Sequence, residues 1–353
     1  MQEPCKIFED GLPDELLALE PLDLVRSLGR PTLVRIPGSG GQAPRCVATL
    51  LHGDEQTGLE AIITILRRKR HYPFDLYVVF GNVEAAAADE GFCHRYLDGQ
   101  EDFNRVWGIG SPTTRQRMAA DAILERLRGA QLESLVDVHN NSGDNPFFAI
   151  VTRDDVATMH LATRFTTTLL WWDLQVNTLM EALGNEVAAI AIECGLPEQP
   201  ESTAFAVDGL RRYLGALPLP DDEVRCDYDL LGDLRRVSVR PEVRFRFGGG
   251  LDRDHDFVVA DDADVHNFVE VVAGHVLGDV VPGAALPVTV TAPDGRDVTD
   301  DYFAVHNGSV VTTRTTTPVM MTRTVEAARK DCLYYLATSL WTPGTGLSPR
   351  VAV

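Results

Sequence analysis

The chain has 353 residues, 44% of them hydrophobic and 24% charged, which is ordinary globular material and long enough for two domains with a full core. A net charge of −20 speaks against nucleic acid and anionic membrane surfaces as partners. The six Cys are scattered without a Cys-x-x-Cys pair, so neither a disulfide framework nor a thiolate zinc site is indicated.

The first ten residues lack the basic start and apolar run of a signal peptide, and nothing resembles a transmembrane span; the expectation is a cytoplasmic protein. Residues 1–30 read as a short helical lead-in, its leucine stripe broken at Pro21, and Thr32 to Ile36 as a strand. Cys46 to Leu51 is an apolar, β-prone run that stops at His52, turns at Gly53 and presents Glu55 before a helix at Leu59 to Arg68. In an open α/β sheet, ligands bind in the crevice beyond the carboxyl ends of the strands, so His52 and Glu55 would project there together. An imidazole and a carboxylate at that spacing can hold one zinc ion, and a catalytic zinc needs a third protein ligand.

Leu76 to Phe80 is a further strand, and Val83 to Glu90 a short helical piece. Residues 91–110 carry polar groups, aromatics and Gly with no period, the composition of a functional loop. Thr113 to Arg128 is an amphipathic helix. Leu135 to His139 then repeats the layout around His52, a strand ending at a His and followed by Asn140-Asn141-Ser142-Gly143. Phe147 to Thr152 reads as a strand, Val156 to Trp172 as a helix and Val187 to Gly195 as a buried strand with Glu193 near its end. A carboxylate after six apolar residues is costly unless used or paired. Ser202 to Leu214 closes this half as a helix.

Leu217 to Glu223, prolines followed by acids, marks a boundary: residues 1–220 form an α/β unit and residues 221–353 a β-rich one. Short β-type runs follow at Val237 to Phe247, Asp256 to Val259, Phe268 to Val272, Leu286 to Val290 and Ser309 to Thr317. Strands alternating with helices before the boundary predict an α/β fold with a mixed, mostly parallel sheet flanked by helices, and a smaller all-β domain after it.

The segments His52-Gly-Asp-Glu55, Arg95-Tyr-Leu-Asp, Asp-Phe-Asn104-Arg105, Asp-Val-His139-Asn and Ile-Glu193-Cys-Gly195 resemble, in order, the motifs of the succinylglutamate desuccinylase and aspartoacylase family, within the zinc carboxypeptidase superfamily. The resemblance covers roughly residues 45 to 215. It implies a carboxypeptidase-like fold, a zinc ion held by His52, Glu55 and His139, and Glu193 as general base that passes a proton to the leaving amine. It further implies that Arg95 polarises the scissile carbonyl. Asn104 and Arg105 would grip the substrate carboxylate, and Asn140 would touch substrate. The family's Tyr and Arg upstream of the base have no match in Thr178 to Leu183, so the acyl group is left open. Tyr302, Tyr334 and Tyr335 are candidates for a tyrosine supplied by the second domain.

Taken singly, His52 and Glu55 also read as a helix-entry pair, His139 as a satisfied core histidine, Glu193 as half of an ion pair, and Asp137 as either an orienting acceptor for His139 or an ordinary buried hydrogen bond. Taken together they predict a zinc-dependent hydrolase of a small anionic N-acyl amino acid, with a homo-oligomer left open. The rival readings are a peptide carboxypeptidase with the same constellation, and a catalytically silent carboxylate-binding protein of the same fold.

Overall fold

The computed structural model describes residues 3–108, 110, 113–215, 217–220, 222, 224 and 226–341. Ile109 of the expected loop and Asp221 and Glu223 of the expected boundary lie outside the described residues. The strands in chain order are β1 (Lys6–Phe8), β2 (Thr32–Ile36), β3 (Arg45–Thr49), β4 (Leu76–Phe80), β5 (Ser134–His139), β6 (Phe148–Val151), β7 (Thr168–Trp171), β8 (Ala188–Glu193) and β9 (Asp229–Val239). They continue as β10 (Phe245–Phe247), β11 (Phe257–Val259), β12 (Val276–Val280), β13 (Val288–Thr291), β14 (Phe303–His306), β15 (Ser309–Thr312), β16 (Thr317–Val319) and β17 (Tyr334–Trp341).

Among the described residues these strands form two sheets. The large one has twelve strands in the order β1-β2-β4-β3-β5-β8-β6-β7-β9-β17-β16, with β13 also paired to β9. Its centre, β4-β3-β5-β8, is parallel, and these strands are mostly apolar on both faces because helices cover both. One face buries Val47, Val136 and Ile190 under the helices Thr57–Leu66 and Pro200–Gly215. The other buries Cys46, Leu135 and Ala189 under the helix Arg115–Gly129, which contributes Ala120, Ile123 and Leu127. The small sheet, β10-β11-β12-β15-β14, closes a third core around Phe257, Val280 and Phe303. The α/β architecture expected from the sequence is thus the one found, and β9, β13, β16 and β17 carry the large sheet on past the proline-rich segment.

Several local expectations are corrected. The run Val156 to Trp172 is not one helix: it splits into a helix at Val156–Thr163 and the strand β7, because Thr166, Thr167 and Thr168 are β-branched and Leu169 and Leu170 pair with β6 and β9. Phe268 to Val272 is not a strand. Phe268 takes a left-handed backbone (φ 61°), and only Val271 bridges, to Thr316. The lead-in contains β1, and Pro21 starts the helix Pro21–Leu28 rather than breaking one, since a first-turn residue needs no amide hydrogen.

The architecture puts the carboxyl ends of β3, β5 and β8 side by side. In register, His139 pairs with Glu193 across β5 and β8. Asp137, His139, Ala191 and Glu193 share the face that also carries Leu135 and Ala189, because strand side chains alternate. Over this end of the sheet lies the segment 320–335. It is tied to the loop after His139 by Met320 N donating to Asn145 Oδ1 (3.0 Å) and Arg323 N to Ser142 O (3.0 Å), and Asn267 bridges the two, its Oδ1 accepting from Met321 N (2.9 Å) and its Nδ2 donating to Asp144 O (2.7 Å).

Candidate metal centre and catalytic cavity

The turn after β3 is built by close approach. Leu50 takes a left-handed backbone (φ 56°), which redirects the chain so that His52 and Glu55 face the carboxyl end of β5. A Cβ at Gly53 would stand 2.5 Å from Ala86 N and 2.6 Å from His94 O. One at Gly58 would meet Thr49 Oγ1 at 2.3 Å and Val138 Cβ at 2.8 Å, so both glycines let the turn and the following helix sit tight on β3 and β5. Asn140 holds the same helix start: its Nδ2 donates to Thr57 Oγ1 (2.8 Å) and Gly195 O (2.9 Å), and its Oδ1 accepts from Thr57 N (3.2 Å). Asn140 borders the cavity, but these bonds engage both ends of its side-chain amide.

His52 Nδ1 lies 2.6 Å from Glu55 Oε1, and His139 Nδ1 lies 2.7 Å from Glu55 Oε2. All three side chains are buried, and one ligand atom from each fits within 4.8 Å of the others. The two rings face each other at 5.3 Å, tilted by 49°. Each ring has a carboxylate behind it: Asp102 Oδ1 is 3.2 Å from His52 Nε2, and Asp137 Oδ2 is 3.0 Å from His139 Nε2. Both are at ion-pairing distance without the alignment of a hydrogen bond, and neither oxygen of buried Asp137 has a hydrogen-bond partner. Such a carboxylate behind a ligating imidazole is the usual outer partner of a metal site, where it fixes the ring with its other nitrogen toward the ion. Two imidazoles and one carboxylate, buried and converging, form a donor set that fits zinc.

Burial pushes His52 and His139 down, but Glu55 with Asp102 on one side and Asp137 with Glu55 on the other outweigh it, and both are raised. Burial raises Glu55, and the two imidazoles overcome it and hold its carboxyl well below the usual range. Glu193 behaves oppositely. Burial pushes its carboxyl up to about 8, with His139 opposing and Glu55 reinforcing. Its Oε2 accepts from Asn141 Nδ2 (2.7 Å), while Asn141 Oδ1 is buried without a partner.

The irregular loop brings in the cations. Asp102 organises it: Oδ1 accepts from Asn104 N (2.8 Å) at the start of the turn Phe103–Arg105, and Oδ2 accepts from Arg95 Nε (3.1 Å). Arg95 O in turn accepts from Gly53 N (3.0 Å), which fastens the loop to the metal-site turn. Buried Phe103 and Trp107 stack edge to face at 5.4 Å and anchor the far end. Asn104 is buried with its Oδ1 unpartnered, and Arg105 Nη1 donates to Asn104 O (2.9 Å).

All eight residues singled out in the sequence, His52, Glu55, Arg95, Asn104, Arg105, His139, Asn140 and Glu193, border one cavity of about 420 Å³. Of the three candidate tyrosines, Tyr335 is there and Tyr302 and Tyr334 are not. The sequence reading gives no role to Asp102, Asn141 or Asp331. Asp102 and Asn141 stand within two residues of predicted site positions, a proximity that could have flagged them. Asp331 has no local signal. Its carboxylate reaches Arg236 Nη2 (2.8 Å), Arg105 Nη2 (3.4 Å) and Arg95 Nη2 (3.7 Å). Burial raises the Asp331 carboxyl, and the three guanidiniums outweigh it and hold it low.

No family model matches the chain, and no curated protein matches it by sequence. Solved structures do match in fold. A succinylglutamate desuccinylase from Chromobacterium violaceum superposes with a TM-score of 0.55 over 90% of each chain, at 16% identity. Murine aminoacylase 3 gives 0.54 over 84% of this chain and 95% of its own, at 15% identity. The product-bound ectoine utilization protein EutE (DoeB) from Ruegeria pomeroyi gives 0.53 over 87% and 88%, at 16% identity. The fold expected from the motif resemblance is therefore the fold of solved proteins that carry the desuccinylase and aminoacylase names.

Proposed function

We propose that this chain is a zinc-dependent hydrolase that cleaves the amide bond of a small N-acyl amino acid into a carboxylate and an amine. The observation that carries the reading is the closure of His52 Nδ1 and His139 Nδ1 on the two oxygens of Glu55, in one cavity with the buried carboxyl of Glu193. His52, Glu55 and His139 would hold the ion, with Asp102 and Asp137 fixing the rings. Zinc bound there would acidify a water molecule and polarise a carbonyl.

The chain's own groups do the rest. Glu193, ionised, takes a proton from the attacking water and returns it to the amine nitrogen as the C–N bond breaks, so one carboxylate serves as base and then as acid. The cost of burying its charge makes it a stronger base than a solvent-exposed Glu, and the positive charge of a cation nearby brings its pKa back toward neutrality. Arg95, held by Asp102, directs its positive charge at the carbonyl oxygen as negative charge develops there. Arg105 and Asn104 receive the substrate carboxylate with the donors that Asp331 and the Asn104 carbonyl leave open. Residues 1–220 are the hydrolytic unit in this reading, and residues 221–353 supply the wall that limits substrate size through Met320, Lys330, Asp331 and Tyr335. A cavity of about 420 Å³ suits a substrate of this size.

The test is elemental analysis of the purified protein and of His139→Ala, followed by a screen of N-acyl amino acids. About one zinc per chain, lost in the variant, with hydrolysis in the screen, is expected. A chain that neither contains zinc nor takes it up would leave a binding protein of the same fold as the better reading. Equal hydrolysis of long peptides would make it a carboxypeptidase instead.

A further inference from the structure

The same cavity also touches a set of side chains, its apolar arm, for which the hydrolytic residues have no use. Cross-strand pairing in the large sheet places Ala191 between Asp137 on β5 and Ile150 on β6, so these three share one face and form a row leading away from the metal site. Ala191 is the smallest side chain in the row and leaves a hollow above it. The same cavity is bordered by Trp172, Met180 and Tyr335, the two rings packed edge to face at 5.5 Å. Trp172 Nε1 donates to Glu181 Oε1 (3.0 Å), so its polar end is engaged outside the arm and its ring is what the arm meets. The cations that border the cavity are already paired, Arg95 and Arg105 with Asp102 and Asp331, and Lys330 with Glu326 (2.9 Å). A second substrate carboxylate entering this arm would lose its hydration and gain no unshared cation. An apolar group would bury its surface against a preformed wall.

We infer that this arm, floored by Ala191 and Ile150 and walled by Trp172, Met180 and Tyr335, selects N-acyl amino acids that carry one apolar, aromatic-sized substituent over dicarboxylic ones. The inference rests on the hydrolase reading for its substrate class, but the pocket can be tested without turnover. Calorimetric titration of the zinc-loaded protein with 3-phenylpropionate and with succinate compares an apolar and a charged tail on the same carboxylate head. The expected result is that 3-phenylpropionate binds at least about tenfold more tightly. Ala191→Leu, which fills the hollow, removes that preference and leaves succinate binding where it was. Should Ala191→Leu fail to fold, Trp172→Ala takes its place and is expected to erode the same preference. Succinate binding as tightly as 3-phenylpropionate, or a preference untouched by the variant that folds, overturns the inference. Selective binding of 3-phenylpropionate by a protein that hydrolyses no N-acyl amino acid keeps the pocket and removes the hydrolase reading. Hydrolysis with a preference for succinyl substrates does the reverse.

Discussion

Asp331 sets a carboxylate oxygen 3.4 Å from Arg105 Nη2, inside the cavity and from a segment 226 residues further along the chain. The same oxygen is 3.7 Å from Arg95 Nη2, so the anion-binding side of the site already contains an anion of its own. In the proposed reading a substrate carboxylate must share Arg105 with it. We predict that Asp331→Asn lowers the dissociation constant of simple monocarboxylate ligands several-fold, because a competing charge is gone. The same change leaves Arg236 and Arg105 less well paired and costs about 1–2 kcal/mol of stability, discounted for partial exposure. Carboxylate inhibition and thermal melting measure the two effects. Weaker carboxylate binding in the variant would show that Asp331 aligns Arg105 rather than competing for it.

Glu193→Gln separates catalysis from binding. Loss of the proposed general base is expected to lower kcat by about 10²–10⁴-fold with zinc content unchanged, since Glu193 is not among the proposed ligands. The metal-free protein gives an independent reading. Its Glu193 carboxyl, pushed up to about 8 from an ordinary 4.5, still holds a proton between those values while the unfolded chain has released it. Stability therefore falls as pH rises from about 4.5 to about 8 and levels off above. The amide of the Glu193→Gln variant has no such proton to lose, so the variant's melting temperature should exceed that of wild type at pH 9 and the gap should close toward pH 5. The corresponding difference in stability at pH 9 is on the order of a few kcal/mol. A gap independent of pH would mean that Glu193 titrates as an ordinary carboxyl.

Removal of zinc should cost stability as well as activity. A ligand that binds only the folded state contributes about 2.7 kcal/mol at a hundred times its dissociation constant. Chelation is predicted to lower the melting temperature of wild type and to leave His139→Ala unmoved. A chelator that shifts both proteins equally acts somewhere other than at this centre.

Cys332 borders the cavity, yet its thiol is pushed up to about 12, by burial first and by Asp331 second. Only the thiolate reacts. Alkylation with iodoacetamide at pH 8 should label Cys93 and Cys226, the two exposed cysteines, and spare Cys332; peptide mass spectrometry reads the sites directly. Labelling of Cys332 at the rate of Cys93 would contradict its burial.

The half of the site that carries His52, His139 and Glu193 is legible in the sequence because it is local. His139 and Glu193 end apolar strands and His52 follows one by three residues, each next to a turn, and the turn glycines mark where backbones come close. The other half arrives from far away in the chain. Asp331 follows a six-residue helix, Val325–Lys330, and Tyr335 opens one more β-rich run, so neither position carries a pattern that distinguishes a cavity wall from a core. The run Leu169-Leu170-Trp171-Trp172 misleads for a related reason: a short apolar stretch suits a buried helix or a buried strand equally, and pairing with β6 and β9 decides it. Trp172, part of the cavity wall, is hidden from the sequence together with that strand.

Gly53 offers the sharpest test of how the turn and the loop depend on each other. An added methyl would overlap backbone atoms, Ala86 N at 2.5 Å and His94 O at 2.6 Å, so no side-chain rotation relieves it. The turn must move, and Gly53 N donates to Arg95 O, so the loop that carries Arg95 moves with it. Gly53→Ala is therefore predicted to destabilise the protein by about 1–3 kcal/mol and to weaken both zinc affinity and turnover. Gly129→Ala is the control: it ends the helix Arg115–Gly129 with open space around its Cα, and alanine there should be neutral or stabilising by up to about 1 kcal/mol. If Gly53→Ala melts like Gly129→Ala and binds zinc like wild type, the close packing of the turn does not hold His52 and Glu55 in place.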